Sequence, residues 1–312
     1  MIAARCFLLG IAFSTTVAAQ PALDMWRAIE HDNVADAEKL IAAGLPLDRE
    51  ISDGDTPLMR AAFKNRGKIV AMLLAHGASP NAANRLGKTP LMSACAASAS
   101  EEVLQILLRA GAQPNAKGWN GETAYLYAAR YKKPDVLILL EKSGADPKAK
   151  DGGGQGALFW AAYQSNEAVV RYLLSKGFNV NDAADDAFTP LLAAKHDNIR
   201  RLLLDAGADA SVRSSDGETV LTRALSGPGY MEDVELLNRL IARGADVHAA
   251  DSTGNTALMY AAWFGGGSEK FVRALLAHGA EVNGVDRYGK TALMRASKPE
   301  IADLLRRHGA KE

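Results

Sequence analysis

Cysteine is nearly absent from this 312-residue chain, which carries only Cys6 and Cys95. Cys6 lies in an N-terminal stretch with the grammar of a secretory signal: Arg5, an apolar core CFLLGIAFSTTV, then the small residues Val17-Ala18-Ala19. Cleavage between Ala19 and Gln20 is expected from that pattern, and it would leave one thiol, excluding an intramolecular disulfide framework. Cys6 precedes the apolar core, so no lipid anchor is expected. No Asn-x-Ser/Thr sequon occurs anywhere. Net charge is lacking too. Lys plus Arg and Asp plus Glu number 36 each, and removing Arg5 with the leader gives 35 against 36, formally −1. Nothing draws such a chain to nucleic acid or to an anionic membrane. After the leader no long apolar run remains, so stable membrane insertion is not expected. Aromatics are scarce as well, at 6%.

What the chain has in abundance is repetition. TPLMRAA begins at Thr56, TPLMSAC at Thr89, TAYLYAA at Thr123 and GALFWAA at Gly156. TPLLAAK, TVLTRAL, TALMYAA and TALMRAS follow at Thr189, Thr219, Thr256 and Thr291, with a degraded copy, LDMWRAI, at Leu23. A second phrase trails each copy, as in LLAHGASPN and LLRAGAQPN. Its glycine (Gly44, Gly77, Gly111, Gly144, Gly177, Gly207, Gly244 or Gly279) always lies twelve residues before the next start. All length variation therefore falls between the phrases. The threonine hydroxyl can cap a helix N-terminus, and Pro57, Pro90 and Pro190 suit the first helical position. The Ala-Ala pair gives a slim face for close packing. Val70, Leu73 and Leu74 mark a second amphipathic helix, and the glycine supplies a left-handed cap.

These phrases resemble the ankyrin repeat, D-x-x-G-x-T-P-L-H-x-A-A followed by V-x-x-L-L-x-x-G-A-x-x-N. The resemblance runs from Leu23 to the C-terminus. It implies an all-α solenoid of about nine helix-turn-helix repeats, caps included, joined by short β-hairpin-like loops, over a single domain 20–312 after a signal peptide 1–19. The repeats start near residues 23, 56, 89, 123, 156, 189, 219, 256 and 291. This chain departs from the family histidine, which is replaced by Met59, Met92, Leu126, Phe159, Leu192, Thr222, Met259 and Met294. More apolar packing between repeats is the consequence. Gly156 lacks the capping hydroxyl, and Ala187 replaces a turn glycine, so an irregular hairpin is expected before Thr189.

GVDRYGKT, Gly284 to Thr291, fits the phosphate-loop pattern letter for letter. It occupies the same frame as ANRLGKT and DSTGNT, and only 21 residues follow it. The strand and long helix that a phosphate loop requires are missing from that context. The match is repeat grammar.

Ankyrin solenoids act mainly through the concave face, and the resemblance implies a non-catalytic scaffold, monomeric until it meets a protein partner. Candidate partner-binding residues are Phe63, Trp119, Tyr127, Arg130, Tyr131, Trp160, Tyr163, Tyr260, Trp263, Phe264 and Tyr288, types that dominate binding hot spots. Packing between repeats is the competing account, most of all for Trp160 and Tyr260. The exposed register of the first helix also takes in Arg60, Ser93, Ala193, Arg223 and Arg295, and the long turns after Ser226 and Trp263 should expose Tyr230 and Met231. No cofactor, metal site or enzyme activity is expected. His76, His278 and His308 sit before capping glycines, where a donor suits the helix end, and Cys95 is expected to be buried. The leader and the missing disulfide and sequons point to an exported, periplasmic or secreted bacterial protein. Two other readings compete: an envelope structural protein, and a hydrolase using Asp182, Asp185, Asp186, His196 or Asp197. Replacing an interior leucine, Leu58→Ala, is expected to cost ~2–5 kcal/mol and to uncouple neighbouring repeats, which denaturant unfolding would read as loss of a single transition.

Overall fold

In a computed structural model the described residues are 20–51, 54–97, 100–131, 133–226, 231–263 and 268–311. The signal peptide, with Ala19 of its cleavage site, lies outside them, as do Tyr230 and Phe264. The chain forms two compact units, Met1–Gly152 and Gly153–Glu312. In the first, α1 (20–30) and α2 (Val34–Ala42) make the entry repeat. Three helix pairs follow: α3 (Pro57–Phe63) with α4 (Gly67–Ala75), α5 (Pro90–Ala96) with α6 (Glu101–Arg109), and α7 (Ala124–Tyr131) with α8 (Pro134–Lys142). The second unit holds α9 (Ala157–Tyr163), α10 (Glu167–Ser175), α11 (Pro190–Ala193), α12 (Asp197–Asp205), α13 (Val220–Ser226) and α14 (Val234–Ala242). It ends with α15 (Ala257–Trp263), α16 (Glu269–Ala277), α17 (Ala292–Arg295) and α18 (Pro299–Arg307). No strand forms among the described residues. The hairpin-like loops keep two isolated antiparallel bridges, Arg213 with Thr219 and Ala250 with Thr256.

Local chemistry sets each boundary. Thr56, Thr89, Thr189 and Thr291 accept the backbone N–H three residues on, satisfying a donor that the helix start leaves open. Gly156 gives α9 no such bond. At the far end of α4, Gly77 has φ +90°. Its N–H reaches the Leu74 carbonyl at 3.1 Å, while the Ala78 N–H reaches Leu73 at 3.0 Å, the paired closure of a Schellman cap. His76 donates at the same end from Nδ1 to the Met72 carbonyl, 2.9 Å away. His308 repeats this at Leu304, whereas His278 meets Asn238.

The core lies between the first and second helices of each repeat, where Leu58, Ile69, Val70 and Leu73 are fully buried. The positions that carry the family histidine are packed between repeats: Met59, Met92, Leu126, Phe159, Leu192, Thr222 and Met259 are buried, while Met294 in the last repeat is 52% exposed. Cys95 is buried as well. Three expectations are corrected here. Ser93 and Ala193 are buried rather than presented, because small side chains on a slim helix are covered by the neighbouring repeat. Met231 is buried too, since its N–H folds back onto the Ala224 carbonyl at 2.8 Å and draws the residue under α13. The hairpin before Thr189 also keeps its shape. Ala187 adopts φ +60° and bonds to the Ala184 carbonyl at 3.0 Å, as Gly87 does to Asn84, at a steric cost of about 1–2 kcal/mol.

Two sets of hydrogen bonds join consecutive repeats. The residue four after the capping glycine is asparagine at 81, 115, 181 and 283. Asn115 accepts the Asp146 N–H at 2.7 Å and donates to the Gly144 carbonyl at 2.7 Å. Asn81 holds Gln113 and Gly111 in the same way, and Asn283 holds Lys311 and Gly309. Asn181 accepts from Asp209, and Asp48 accepts from Ser79. The hairpin tips form the second set. Trp119 N–H donates to the Leu86 carbonyl at 2.7 Å and Gly152 to Asn120 at 2.6 Å in unit 1. Ser215 to Asp186 at 2.8 Å and Arg287 to Thr253 at 3.1 Å do the same in unit 2. Removing both bonds with Asn115→Ala is expected to destabilise unit 1 by ~1–3 kcal/mol, at about 0.5–1.5 kcal/mol per bond. Denaturant titration gives the energy, and faster amide exchange at Asp146 locates it.

Candidate functional site: hairpin tips above a packed aromatic ladder

The aromatic and basic residues of the first helices are largely used up within the protein. In unit 1, the Arg60 guanidinium lies over Trp26 and Phe63 at 5.6 and 6.0 Å and donates from Nε to Glu30 at 2.8 Å. Lys64 pairs with the same carboxylate at 2.8 Å, and Lys88 sits over Phe63 at 5.5 Å. Burial pushes the Glu30 carboxyl up, but hydrogen bonds from Lys64 and Arg60 outweigh it and hold the group below its ordinary range. Arg130 stacks on Tyr127 at 5.2 Å and faces buried Asp151 at 3.8 Å.

Unit 2 repeats the arrangement. Phe159 is buried and packs on Trp160, Tyr163 and Phe188, with ring centroids 5.4, 6.4 and 6.1 Å away. Lys195 lies 3.6 Å above Tyr163, and Arg223 lies 4.5 Å above Phe188. Arg223 also pairs with Glu218 at 2.7 Å. Tyr260 donates to Asp251 at 2.6 Å. Arg295 covers Trp263 at 5.1 Å and pairs with Asp286. Such cation–π contacts contribute about 0.5–2 kcal/mol each. They fix the rings before any partner arrives.

The candidate residues therefore divide by position. Phe63, Tyr127, Arg130, Trp160, Tyr163 and Tyr260 are half-buried members of these ladders. Tyr131 and Trp263, at helix ends, are 50% and 46% exposed. Trp119 and Tyr288, on hairpin tips, stand out at 84% and 72%. Two tip residues escaped sequence reasoning, Leu86 at 62% and Val285 at 58%. They are aliphatic and carry neither the aromatic nor the basic signature of a binding hot spot. Leu86 lies beside the turn glycine Gly87 and Val285 just ahead of the Asp286–Gly289 turn, and these places were the available signal.

Two carboxylates of the group suggested for hydrolysis, Asp186 and Asp197, are committed to structure. Asp197 accepts from Arg200 at 2.7 Å and from the Glu232 N–H at 3.0 Å, and Asp186 accepts from the Phe188 N–H at 3.1 Å. Among the described residues no three His, Cys, Asp or Glu side chains gather as a metal site would need.

Comparison with known sequences bears on this geometry. The family description "Ankyrin repeats (3 copies)" matches six overlapping windows, 25–118, 83–151, 97–184, 126–214, 158–238 and 229–312. The chain belongs to the ankyrin repeat family. An ankyrin repeat-containing protein of Treponema pallidum (strain Nichols) is 32% identical over 105 residues, covering 32% of this chain and 34% of that protein. The "Ankyrin repeat, SAM and basic leucine zipper domain-containing protein 1" of Neofelis nebulosa is 36% identical over 99 residues, and that of Equus caballus 37% over 99. These matches cover 30% of this chain and 21% of each mammalian protein. Each alignment thus spans about three repeats and a minor part of the relative.

The ladder carries a pH signature. Burial first, then the hydrogen bond to Asp251, pushes the Tyr260 hydroxyl up to about 12. Asp251 is pushed up by burial, but hydrogen bonds from Thr253, Tyr260 and the backbone overcome this and lower it. The folded protein keeps the Tyr260 proton after an unfolded tyrosine, with pKa about 10, has lost its own. The stability tied to this proton is fully present below pH ~10 and falls away as pH rises toward about 12. Thermal melts of wild type and Tyr260→Phe between those pH values should show the wild type losing Tm more steeply.

Proposed function

We propose that this protein is a non-catalytic scaffold that holds a protein partner through its hairpin tips, with the first-helix ladders as a rigid base. The observation that carries this reading is the contrast in exposure. Trp119 and Leu86 in unit 1, and Tyr288 and Val285 in unit 2, stand in solvent at tips tied by backbone hydrogen bonds, while the helix aromatics are already packed. Large apolar side chains on a preformed backbone lose little freedom on binding. The concave face expected from the repeat pattern thus contributes chiefly at its rim. The commitment of Asp186 and Asp197 to backbone and Arg200 weighs against a hydrolase.

The N-terminal pattern, Arg5 followed by an apolar core and Val17-Ala18-Ala19, supports export to a bacterial periplasm or beyond, with the mature chain starting at Gln20. No helix among the described residues is long and apolar enough to cross a membrane. The scaffold works as a monomer until its partner binds.

Affinity capture from envelope extract tests the reading, with wild type, Trp119→Ala/Tyr288→Ala and Trp160→Ala as baits after circular dichroism has verified folding. A protein held by wild type, lost from the tip variant and kept by Trp160→Ala is the expected result. Identical proteins on all three baits would refute the tip assignment. Self-association or sedimentation with cell wall would favour the envelope structural role.

A further inference from the structure

The two neighbouring tips that carry Leu86 and Trp119 have a chemistry of their own. Gly87 has φ +68°, and a Cβ there would lie 3.1 Å from both the Gly118 Cα and the Trp119 nitrogen. Only glycine lets the two tips close to the 2.7 Å bond between Trp119 N–H and the Leu86 carbonyl. The two exposed apolar side chains are thus fixed on abutting turns of one unit. The charges around them are one-sided. Residues 83–89 carry Arg85 and Lys88, and residues 116–122 carry Lys117 and Glu122, three cations against one carboxylate in a chain that is otherwise balanced. Glu122 is occupied, accepting the Asn120 N–H through Oε2 at 3.1 Å. Arg85 touches Glu50 at 3.4 Å yet leaves 88% of its side chain in water. Lys88 rests on Phe63, and Lys117 is exposed.

We infer that the Leu86–Trp119 ridge docks a partner segment in which an apolar side chain is flanked by carboxylates. This rests on the scaffold reading and narrows it to a class of partner. Trp119 and Leu86 supply the desolvated contact where binding energy concentrates. Arg85, Lys88 and Lys117 at its rim select charge and speed encounter. The aliphatic Leu86 beside the indole suits a side chain better than a stacked base, and a total charge near zero gives nucleic acid no wider track to follow.

A random peptide library of about 12 residues, displayed on phage, is selected on the full-length protein and on Leu86→Ser/Trp119→Ala. Peptides enriched on wild type alone should carry Phe, Leu, Ile or Trp with Asp or Glu on either side. A synthetic copy of an enriched peptide should lose about 30-fold in affinity to Trp119→Ala. It should lose about tenfold to Arg85→Glu/Lys117→Glu, with a loss of similar sign when salt rises from about 50 to about 300 mM. Enrichment of neutral or basic flanks, equal enrichment on the variant, or no enrichment would overturn the inference. So would displacement of the peptide by a polyuridylate of about 20 nucleotides at lower concentration. If the captured partner depends on Trp119 while the charge-reversed variant retains it, the scaffold reading stands and the acidic preference alone fails.

Discussion

Each junction between repeats depends on satisfying the polar backbone left by a helix end. A helix that stops at Gly111 or Gly144 leaves carbonyls without partners. The asparagine of the preceding repeat reaches across to fill that gap while taking the N–H two residues further on. One neutral amide thereby fixes both the spacing and the register of two helix pairs. The buried methionines and alanines then pack because their distance has been set. At Ser211 the asparagine is missing. There the second unit is tied instead by outer ion pairs, Arg239 with Asp205 at 2.5 Å and Arg201 with Asp233, which are open to solvent and to screening.

The same logic explains why the candidate surface sits at the tips. First helices must lie close enough for alanine pairs to meet, so most large residues on them are drawn into contact with neighbouring side chains, while those at helix ends such as Tyr131 stay half exposed. Arg60, Arg223 and Arg295 end up over neighbouring rings and against local carboxylates. The tips extend past that packing. A large side chain there has nothing of its own chain to cover it.

Much of this was legible in the letters. Thr-Pro, Ala-Ala and the constant twelve residues after each glycine gave the helix pairs, and the capping roles of Thr56, Gly77 and His76 follow from local rules. What depended on neighbours was not legible. Ser93 and Ala193 occupy the register of Arg60, but small side chains disappear beneath the adjoining repeat. Met231 lies in a lengthened turn, and a single backbone bond to Ala224 takes it into the core. Leu86 and Val285 carry no chemical flag, and their importance comes only from the hairpins that hold them in solvent. The asparagines at positions 81, 115 and 283 were visible as part of a phrase, yet their task required seeing which carbonyl lay opposite.

The stack is also unequal in its vulnerability to oxidants. Met59, Met92 and Met259 are shut between repeats, but Met294 occupies the same register with half its surface in water. A peroxide that cannot enter the interior can still reach that thioether. Conversion to the sulfoxide would make the end of the stack polar and chiral while leaving the sealed methionines reduced.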